Sequence, residues 1–242
     1  MRDFFKRVDE EGNEIYIESD TSAYGYSERY SWLFSVFIKF DDKKNSKEQF
    51  EEFLETKEAL IIAIEHEGNA KYVGSRIVDG WNELYFYAED SKSLNPLVSK
   101  MLSESGYVYE SSVVKDSKWD FHYKNLVPSE LEAAHIQSEK IVFLLQEEGD
   151  DITIPRVVEH YVSFATPTQK ERFLETLSLE GFQFKDEISS EDFENGVALV
   201  KNHALDEEEI KRVVEDLFEA VKKEQGYYEG WSTTLAVEDD VE

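Results

Sequence analysis

The sequence predicts an α+β protein that contains two consecutive α/β sandwich domains. In the C-terminal part, β-branched and aromatic runs alternate with amphipathic runs in the order strand, helix, strand, strand, helix, strand. The N-terminal part repeats that order, and a leucine-containing helical segment separates the two. The order is the split βαβ pattern of ferredoxin-like folds. We therefore expect tandem ferredoxin-like domains at residues 1–127 and 151–242, joined by a helix at 128–150.

The first strand and helix of the C-terminal domain have clear boundaries. Residues 156–165, RVVEHYVSFA, are β-branched and aromatic without a breaker, which favours a strand. Thr166 and Gln169 form a capping-box pair, which predicts the helix start. Gly181 is expected to end this helix. Its predicted buried stripe is Phe173, Leu174 and Leu177.

The remaining C-terminal elements follow from the same signals. Residues 182–188 and 196–203 predict two strands, and Asp206 begins a second helix. Apolar residues at intervals of three and four give that helix one buried face. Gly226 is expected to end the helix, and residues 230–238 predict the closing strand.

In the N-terminal domain the same order of elements begins after about thirty polar and tyrosine-rich residues. Residues 32–40, WLFSVFIKF, indicate a strand, and a capping-box pair at Ser46 begins a helix. Two strands are expected to form a hairpin around Asp79 and Gly80, a typical turn dipeptide. A helix over 91–105 and a strand from Tyr107 complete the pattern.

The segment between the domains is predicted to be helical and not a flexible spacer. Pro128 interrupts the preceding structure, and Ser129 with Glu132 forms another capping box. A disordered linker would lack an apolar face. That face is Ile141, Val142, Leu144 and Leu145.

The charge of the chain limits its partners. It has 54 acidic and 26 basic residues, a formal net charge of -28. Residues 1–150 and 151–242 each carry a net charge of -14, and the short acidic end 238–242 is most simply a solvated tail. Binding to nucleic-acid phosphates depends on Lys and Arg, so direct nucleic-acid binding is not expected. A basic protein segment is the more natural partner.

Several classes of function find no support in the sequence. There are no cysteines, which excludes disulfides and thiol catalysis. The longest aliphatic run, ALIIAI at 59–64, is too short to span a bilayer, and the N-terminus lacks a signal-peptide pattern. We therefore expect a cytoplasmic protein that contacts no membrane, and no cofactor is predicted.

The histidines offer one candidate cluster. Glu159, His160 and His203 lie on two strands that are adjacent in a split βαβ unit. Successive residues of a strand point to opposite faces, so Glu159 and His160 cannot both join His203. A zinc site needs three or four ligands, and at most two of these residues can converge, so we predict no metal site. No catalytic motif occurs either, and the many carboxylates are expected to form solvated faces.

Aromatic residues of the N-terminal domain leave two interpretations open. Residues 24–32, YGYSERYSW, and 85–87, YFY, could line a ligand pocket or a protein interface. Alternatively, Tyr85 and Tyr87 pack on one side of a sheet and Phe86 on the other. A hydrolytic or small-molecule site would use this aromatic segment.

The basic residue Arg76 is a second feature of that alternative. It lies just before VDGW at 78–81, and Trp81 would border the same site. A structural ion pair is the competing explanation for Arg76.

The C-terminal domain resembles a known family. RVVEHYVSFATPTQKERFLETLSLEGF, then GVALVKNHAL and finally GYYEGWST, resemble the RraB family, regulators of ribonuclease E activity. The resemblance covers about residues 155–238. It includes a closing Y-D-G-W motif, here with Glu229 at the aspartate position. The resemblance implies a non-enzymatic inhibitor that binds the ribonuclease, with partner contacts at Tyr228, Glu229 and Trp231.

The N-terminal domain is similar to domain of unknown function 695, a bacterial domain. The similarity rests mainly on YVGSRIVDGWNELYFYAED and covers about residues 1–125. It implies no activity.

We therefore expect a non-enzymatic, acidic protein-interaction module that regulates a ribonuclease or another basic RNA-processing protein. The alternative is a small-molecule-binding or hydrolytic N-terminal domain. A homodimer formed sheet to sheet is a further possibility.

Overall fold

The computed structural model describes residues 2–9, 11–40, 45–177, 181–189 and 195–236. The chain divides into two compact units, residues 1–128 and 129–242. We call them the first unit and the second unit. The expected acidic tail at 238–242 lies outside the described residues.

The first unit is a six-stranded antiparallel sheet with helices. The strand order across the sheet is β1-β2-β4-β5-β3-β6. The elements in chain order are β1 (Arg2–Val8), β2 (Glu14–Asp20), a 3-10 helix (Thr21–Tyr26), β3 (Trp32–Lys39), α1 (Lys47–Glu67), β4 (Ala70–Val78), β5 (Trp81–Ala88), α2 (Leu94–Leu102), β6 (Tyr109–Lys115) and α3 (Asp120–Asn125).

The first thirty residues, in which no strand was predicted, contribute strands β1 and β2 to the sheet. They pair with each other, and β2 extends the sheet at β4. The paired residues Phe5 and Ile17 pack against the core on one face of the sheet. Charged residues flank these apolar ones in the sequence. The stretch is therefore polar on average, and its period-two strand pattern was not recognised.

Two apolar clusters lie on the two faces of this sheet. One face packs against α1 and α2, with Phe86 at its centre. The other includes Tyr85, Tyr87 and Trp119, whose ring stacks on that of Tyr87 at 4.0 Å between centroids. The predicted alternation of Tyr85 and Tyr87 against Phe86 is therefore confirmed.

The local signals of the first unit are confirmed in detail. Ser46 forms a capping box with Gln49 at the start of α1. Asp79 and Gly80 connect β4 and β5, and both have positive φ angles, 47° and 72°. That conformation is typical of tight hairpin turns.

The second unit is a four-stranded antiparallel sheet with three helices. The strand order is β10-β7-β9-β8. The elements are α4 (Glu130–Glu147), β7 (Arg156–Phe164), α5 (Pro167–Thr176), β8 (Gln183–Ile188), β9 (Asn195–His203), α6 (Glu207–Lys223) and β10 (Tyr227–Thr233).

The helix expected to connect the domains belongs to the second unit. Helix α4 contacts α6 and β10, and its residue Ile141 packs near Trp231. Capping boxes begin α4 at Ser129 and α5 at Thr166, as predicted.

Two predicted helix ends are wrong. Helix α5 ends at Thr176, before Gly181. After α6, the left-handed residue is Gln225, with a φ of 59°. Gly226 serves another purpose, since a Cβ there would lie 2.5 Å from the ring of Phe164.

The structure is thus α+β, with two sheets and six α-helices among the described residues. In the described part of the chain, no helix has the length and apolar character needed to span a membrane.

Candidate functional site

The closing motif of the second unit contains a β-bulge. Tyr228 pairs with Val162 and Gly230 pairs with Tyr161, so Glu229 is an extra residue in β10. The bulge changes the alternation, and Tyr228 and Trp231 therefore point to the same, helix-covered face. Gly230 has a φ of 122°, a conformation that is open almost only to glycine.

Trp231 lies inside the second unit. It is only 5% exposed, and its Nε1 donates a hydrogen bond to Ser138 Oγ of α4 at 2.9 Å. The sequence motif suggested a partner contact at this residue. Its geometry gives Trp231 a structural role, which is to join β10 to α4.

Tyr228 is half-buried beside a histidine pair. Its hydroxyl lies 3.0 Å from Nδ1 of His160. Burial raises the pKa of the Tyr228 phenol well above its usual range. The phenol is therefore protonated and can donate this hydrogen bond.

His160 and His203 meet in the interior, and Glu159 does not join them. Their Nε2 atoms lie 3.1 Å apart, and Nδ1 of His203 lies 2.6 Å from the carbonyl oxygen of Ala204. If Nδ1 of His203 donates to that carbonyl, its Nε2 accepts from Nε2–H of His160. Nδ1 of His160 then accepts from Tyr228. One continuous chain of hydrogen bonds thus satisfies two neutral imidazoles.

The environment of the pair keeps both rings neutral. Burial, followed by His203 and Lys201, lowers the pKa of His160 to about 3. Burial is also the main cause that lowers the pKa of His203. The pair is suited to holding strands together and not to proton transfer near pH 7.

Glu159 lies on the opposite face of β7. It forms an ion pair with Lys185 and accepts a hydrogen bond from the Tyr161 hydroxyl at 3.2 Å. The hydrogen bond from Lys185 lowers the pKa of Glu159. The described residues contain no group of three or more His, Asp or Glu side chains that could hold a metal ion.

The face of the sheet that carries Glu159 is the open face of the second unit. Helices α5 and α6 pack on the other face, against Val162 and Leu199. On the open face the Tyr161 hydroxyl lies 2.7 Å from Ser232 Oγ. Exposed apolar and acidic side chains surround this polar centre. They include Val157, Tyr227 and Glu229.

Glu229 is the one member of the expected contact set that reaches the open face. Its carboxylate accepts a hydrogen bond from Ser163, which borders the β-bulge. The bulge thus separates the motif into inward-facing aromatic residues and an outward-facing acid. Partner contact by Tyr228, Glu229 and Trp231 remains a prediction.

Charge is concentrated in the second unit. Residues 129–242 contain 29 acidic and 10 basic side chains, against 25 and 16 in residues 1–128. The net charge is therefore -19 in the second unit and -9 in the first.

In the first unit, Arg76 has structural partners. Its Nε donates to Glu83 at 2.8 Å, and one terminal nitrogen lies 3.3 Å from the Asn125 side-chain oxygen. Tyr85 donates to the same Glu83 at 2.6 Å. The structural ion pair is therefore the arrangement found at Arg76.

The tyrosine-rich segment contributes to the core. Tyr30 is buried, and Trp119 Nε1 donates to its carbonyl oxygen at 2.6 Å. Tyr26 is exposed and stacks on Tyr30 at 5.6 Å between centroids.

A cleft of about 590 Å³ lies at the end of the sheet near the β4–β5 turn. Its lining includes Lys39, Glu52, Asp79 and Tyr107, but neither Arg76 nor Trp81. A small-molecule site in this unit would therefore be beside the predicted position and not at Arg76.

The protein is of the α+β class. The polar groups described above, the His160–His203 pair and Arg76, are each hydrogen-bonded to other groups of their own unit. Comparison with family models then gives two assignments. Residues 3–127 match the family of unknown function DUF695, and the chain belongs to that family. Residues 135–233 match RraB, described as regulator of ribonuclease activity B. No curated protein and no solved structure matches the chain.

Both family resemblances read from the sequence are confirmed. The RraB match begins within α4, about twenty residues before the expected start. This agrees with the packing of α4 inside the second unit.

Proposed function

We propose that this chain is a non-enzymatic regulator of a ribonuclease, and that it acts by protein contact through its second unit. The match of that unit to the RraB family carries the proposal. The polar groups support it, since the histidine pair is internally satisfied and both rings are neutral. Ribonuclease E is the enzyme that the sequence resemblance suggests.

The open face of the second unit is the proposed contact surface. It presents Tyr161 at the centre, Val157 and Tyr227 as exposed apolar groups, and Glu229 as an acid. Aromatic residues with a polar surround are typical of protein interfaces. The helices of this unit leave that face uncovered in the described residues.

Acidic charge gives the proposal its mechanism. A ribonuclease binds RNA through basic segments, and an acidic surface can occupy such a segment in competition with RNA. Because part of the attraction is between exposed charges, added salt should weaken the complex. Inhibition would result from competition and would need no chemistry in this chain.

Two structural assignments accompany this function. We propose that each unit contains a ferredoxin-like split βαβ domain. The supporting observation is the strand order, which is β6-β3-β5-β4 within the first sheet and β10-β7-β9-β8 in the second. In both, the fourth strand of the domain lies beside the first, followed by the third and the second. We place the domain boundary near Pro128, with α4 as part of the second domain. Since the proposed partner processes RNA, we propose a cytoplasmic location.

Affinity capture tests the proposal. The full chain is immobilised and exposed to host lysate at about 50 mM and about 500 mM salt. We expect a ribonuclease to bind at low salt and to be released at high salt. Glu229→Lys should abolish capture, whereas Glu219→Lys, the same charge change on the exposed face of α6, should not. Absence of any ribonuclease at low salt would contradict the proposal.

The cleft near Asp79 supports a second candidate, small-molecule binding by the first unit. A tightly bound metabolite would raise the melting temperature of the full chain. Asp79→Ala or Glu52→Ala should remove that increase. If no compound of a metabolite panel shifts the melting temperature, this second function is rejected.

A further inference from the structure

Among the described strands, four lie at the edge of a sheet, and β6 is the least protected of them. An edge strand exposes unpaired backbone N–H and C=O groups, which proteins shield with charged side chains, bulges or covering elements. Strands β1 and β6 border the first sheet, and β8 and β10 border the second. Three of these four strands carry such protection.

The protection differs from strand to strand. Strand β1, RDFFKRV, is charged at four of its seven positions. Strand β8 has a bulge between Phe184 and Asp186 and includes the charged run KDE at 185–187. Strand β10 contains the bulge at Glu229, and the Gln137 side chain of α4 lies 3.2 Å from the position that a Cβ on Gly230 would take. Each feature hinders the addition of another strand.

Strand β6 lacks these features. It pairs with β3 in a regular register over its whole length, from Tyr109 to Lys115, without a bulge. Its four central residues, SSVV at 111–114, are uncharged. Ser112 is exposed, and Val114 is 54% exposed. The strand therefore offers a regular, seven-residue edge.

The backbone of β6 points hydrogen-bonding groups outward at alternate residues. At the ends of the β3–β6 ladder, Asp116 N–H donates to the Ser31 carbonyl and Lys39 N–H donates to the Val108 carbonyl, both at 2.9 Å. In an antiparallel ladder, residues bonded to the neighbour alternate with residues whose groups point away. Even-numbered residues of β6 therefore bond to β3. The N–H and C=O groups that point outward belong to residues 109, 111, 113 and 115.

A second copy of the chain presents the same groups in a matching arrangement. Two β6 strands related by a two-fold axis run antiparallel, and the register that overlaps all seven residues places Ser112 opposite Ser112 of the second copy. Ser111 then lies opposite Val113, so that outward-pointing groups meet each other. Glu110 lies opposite Val114 and Tyr109 opposite Lys115. No like charges face each other across this pair of strands.

We propose that two copies of the chain associate through β6, which joins their six-stranded sheets into one continuous antiparallel sheet. The contact is isologous, since the same strand is used by both copies. An extended segment of another protein would need side-chain pockets for specificity, whereas a second copy brings a matched register by symmetry. The site lies in the first unit and does not depend on ribonuclease binding by the second.

Two properties of the dimer follow from its size and charge. A single pair of strands is at the small end of protein interfaces, so the dimer should be weak. Both copies carry a net charge of -28, and salt screens their repulsion. Added salt should therefore strengthen the dimer, which is the opposite of its effect on the proposed ribonuclease complex.

Sedimentation velocity of the full chain tests the association. Measurements run from about 1 to about 100 μM protein, at about 150 and about 500 mM salt. We expect a monomer–dimer equilibrium in which the dimer fraction rises with protein concentration and with salt. A monomer under every one of these conditions would overturn the proposal.

Matched variants locate the interface. Ser112→Lys places two like charges opposite each other at the two-fold axis and should weaken the dimer about fivefold or more. Ser99→Lys makes the same charge change at an exposed position of α2 and should alter the dissociation constant less than about twofold. Equal effects of the two variants would overturn the assignment to β6.

A charge-swap mixture tests the register. Ser112→Glu should also weaken the dimer, because two carboxylates then face each other. An equimolar mixture of Ser112→Lys and Ser112→Glu brings opposite charges together and should dimerise at least as strongly as wild type. A mixture that dimerises no better than either variant alone would overturn the pairing of β6 with its copy.

Discussion

The Nε2 atoms of His160 and His203 lie 3.1 Å apart in the interior of the second unit. With Tyr228 at one end and the Ala204 carbonyl at the other, they form a chain of hydrogen bonds across β10, β7 and β9. Neutral rings are required for this chain. Its integrity is therefore linked to pH.

Acid should destabilise the second unit through these histidines. In the unfolded chain a histidine takes up a proton near pH 6.5, whereas folded His160 has a pKa of about 3. The unfolded state thus binds more protons between these values, and stability falls as the pH drops below 6.5. The loss should be about 2 kcal/mol from His160 between pH 7 and pH 5. Urea unfolding at both pH values measures it.

A variant isolates the histidine contribution. His160→Leu should lower the free energy of unfolding at pH 7, because it removes the partner of Tyr228 and His203. It should also reduce the difference in the free energy of unfolding between pH 7 and pH 5. An unchanged pH dependence would show that other groups cause it.

The bond from Trp231 to Ser138 predicts a cost for removing one hydroxyl. Ser138→Ala would leave a buried indole N–H without its acceptor, which costs about 1–3 kcal/mol. The exposed Ser232, bonded to Tyr161, provides the control, and Ser232→Ala should stay within about 0.5 kcal/mol of wild type. Denaturant titrations give both values. Equal losses of unfolding free energy in the two variants would show that the buried hydrogen bond stabilises the unit no more than the exposed one.

The β-bulge predicts that Gly230 cannot be replaced freely. At a φ of 122° an alanine is strained, and its Cβ would lie 3.2 Å from the Gln137 side chain. Gly230→Ala should therefore destabilise the second unit by about 1–3 kcal/mol. Thermal unfolding followed by circular dichroism measures this. An unchanged melting temperature would show that β10 adopts a different backbone there.

The buried pair of Lys57 and Glu18 predicts non-additive effects in the first unit. Lys57→Met removes one ion and leaves Glu18 with Arg2, 3.0 Å away, as its remaining ion partner, so the cost should be about 1–3 kcal/mol. The double variant with Glu18→Gln should cost less than the sum of the single variants. A double-mutant cycle from urea unfolding gives the coupling. Additive effects would show that the two side chains do not interact.

Sequence patterns predicted the parts of the fold that depend on local chemistry. Capping boxes at Ser46, Ser129 and Thr166 were each found at a helix start. The Asp79–Gly80 hairpin was also found, because these residues favour positive φ angles. Strand alternation showed that Glu159 and His160 cannot both reach His203, and the structure shows that His160 is the residue that does.

Other features depend on contacts that one sequence does not display. The bulge at Glu229 turns Trp231 inward. On a regular strand, Trp231 and Tyr228 would lie on opposite faces of the sheet. Strands β1 and β2 were missed because charged residues interrupt their apolar ones, as Arg2, Asp3, Lys6 and Arg7 do in β1.

The most direct test of the proposed function is the rate at which the host ribonuclease cleaves RNA in the presence of the purified full chain. We predict that wild type and Glu219→Lys lower the initial rate in proportion to their concentration, whereas Glu229→Lys does not. The chain alone should leave the RNA intact. Cleavage that is unaffected by wild-type protein, or inhibition that is equally strong with Glu229→Lys, would contradict regulation through the open face of the second unit.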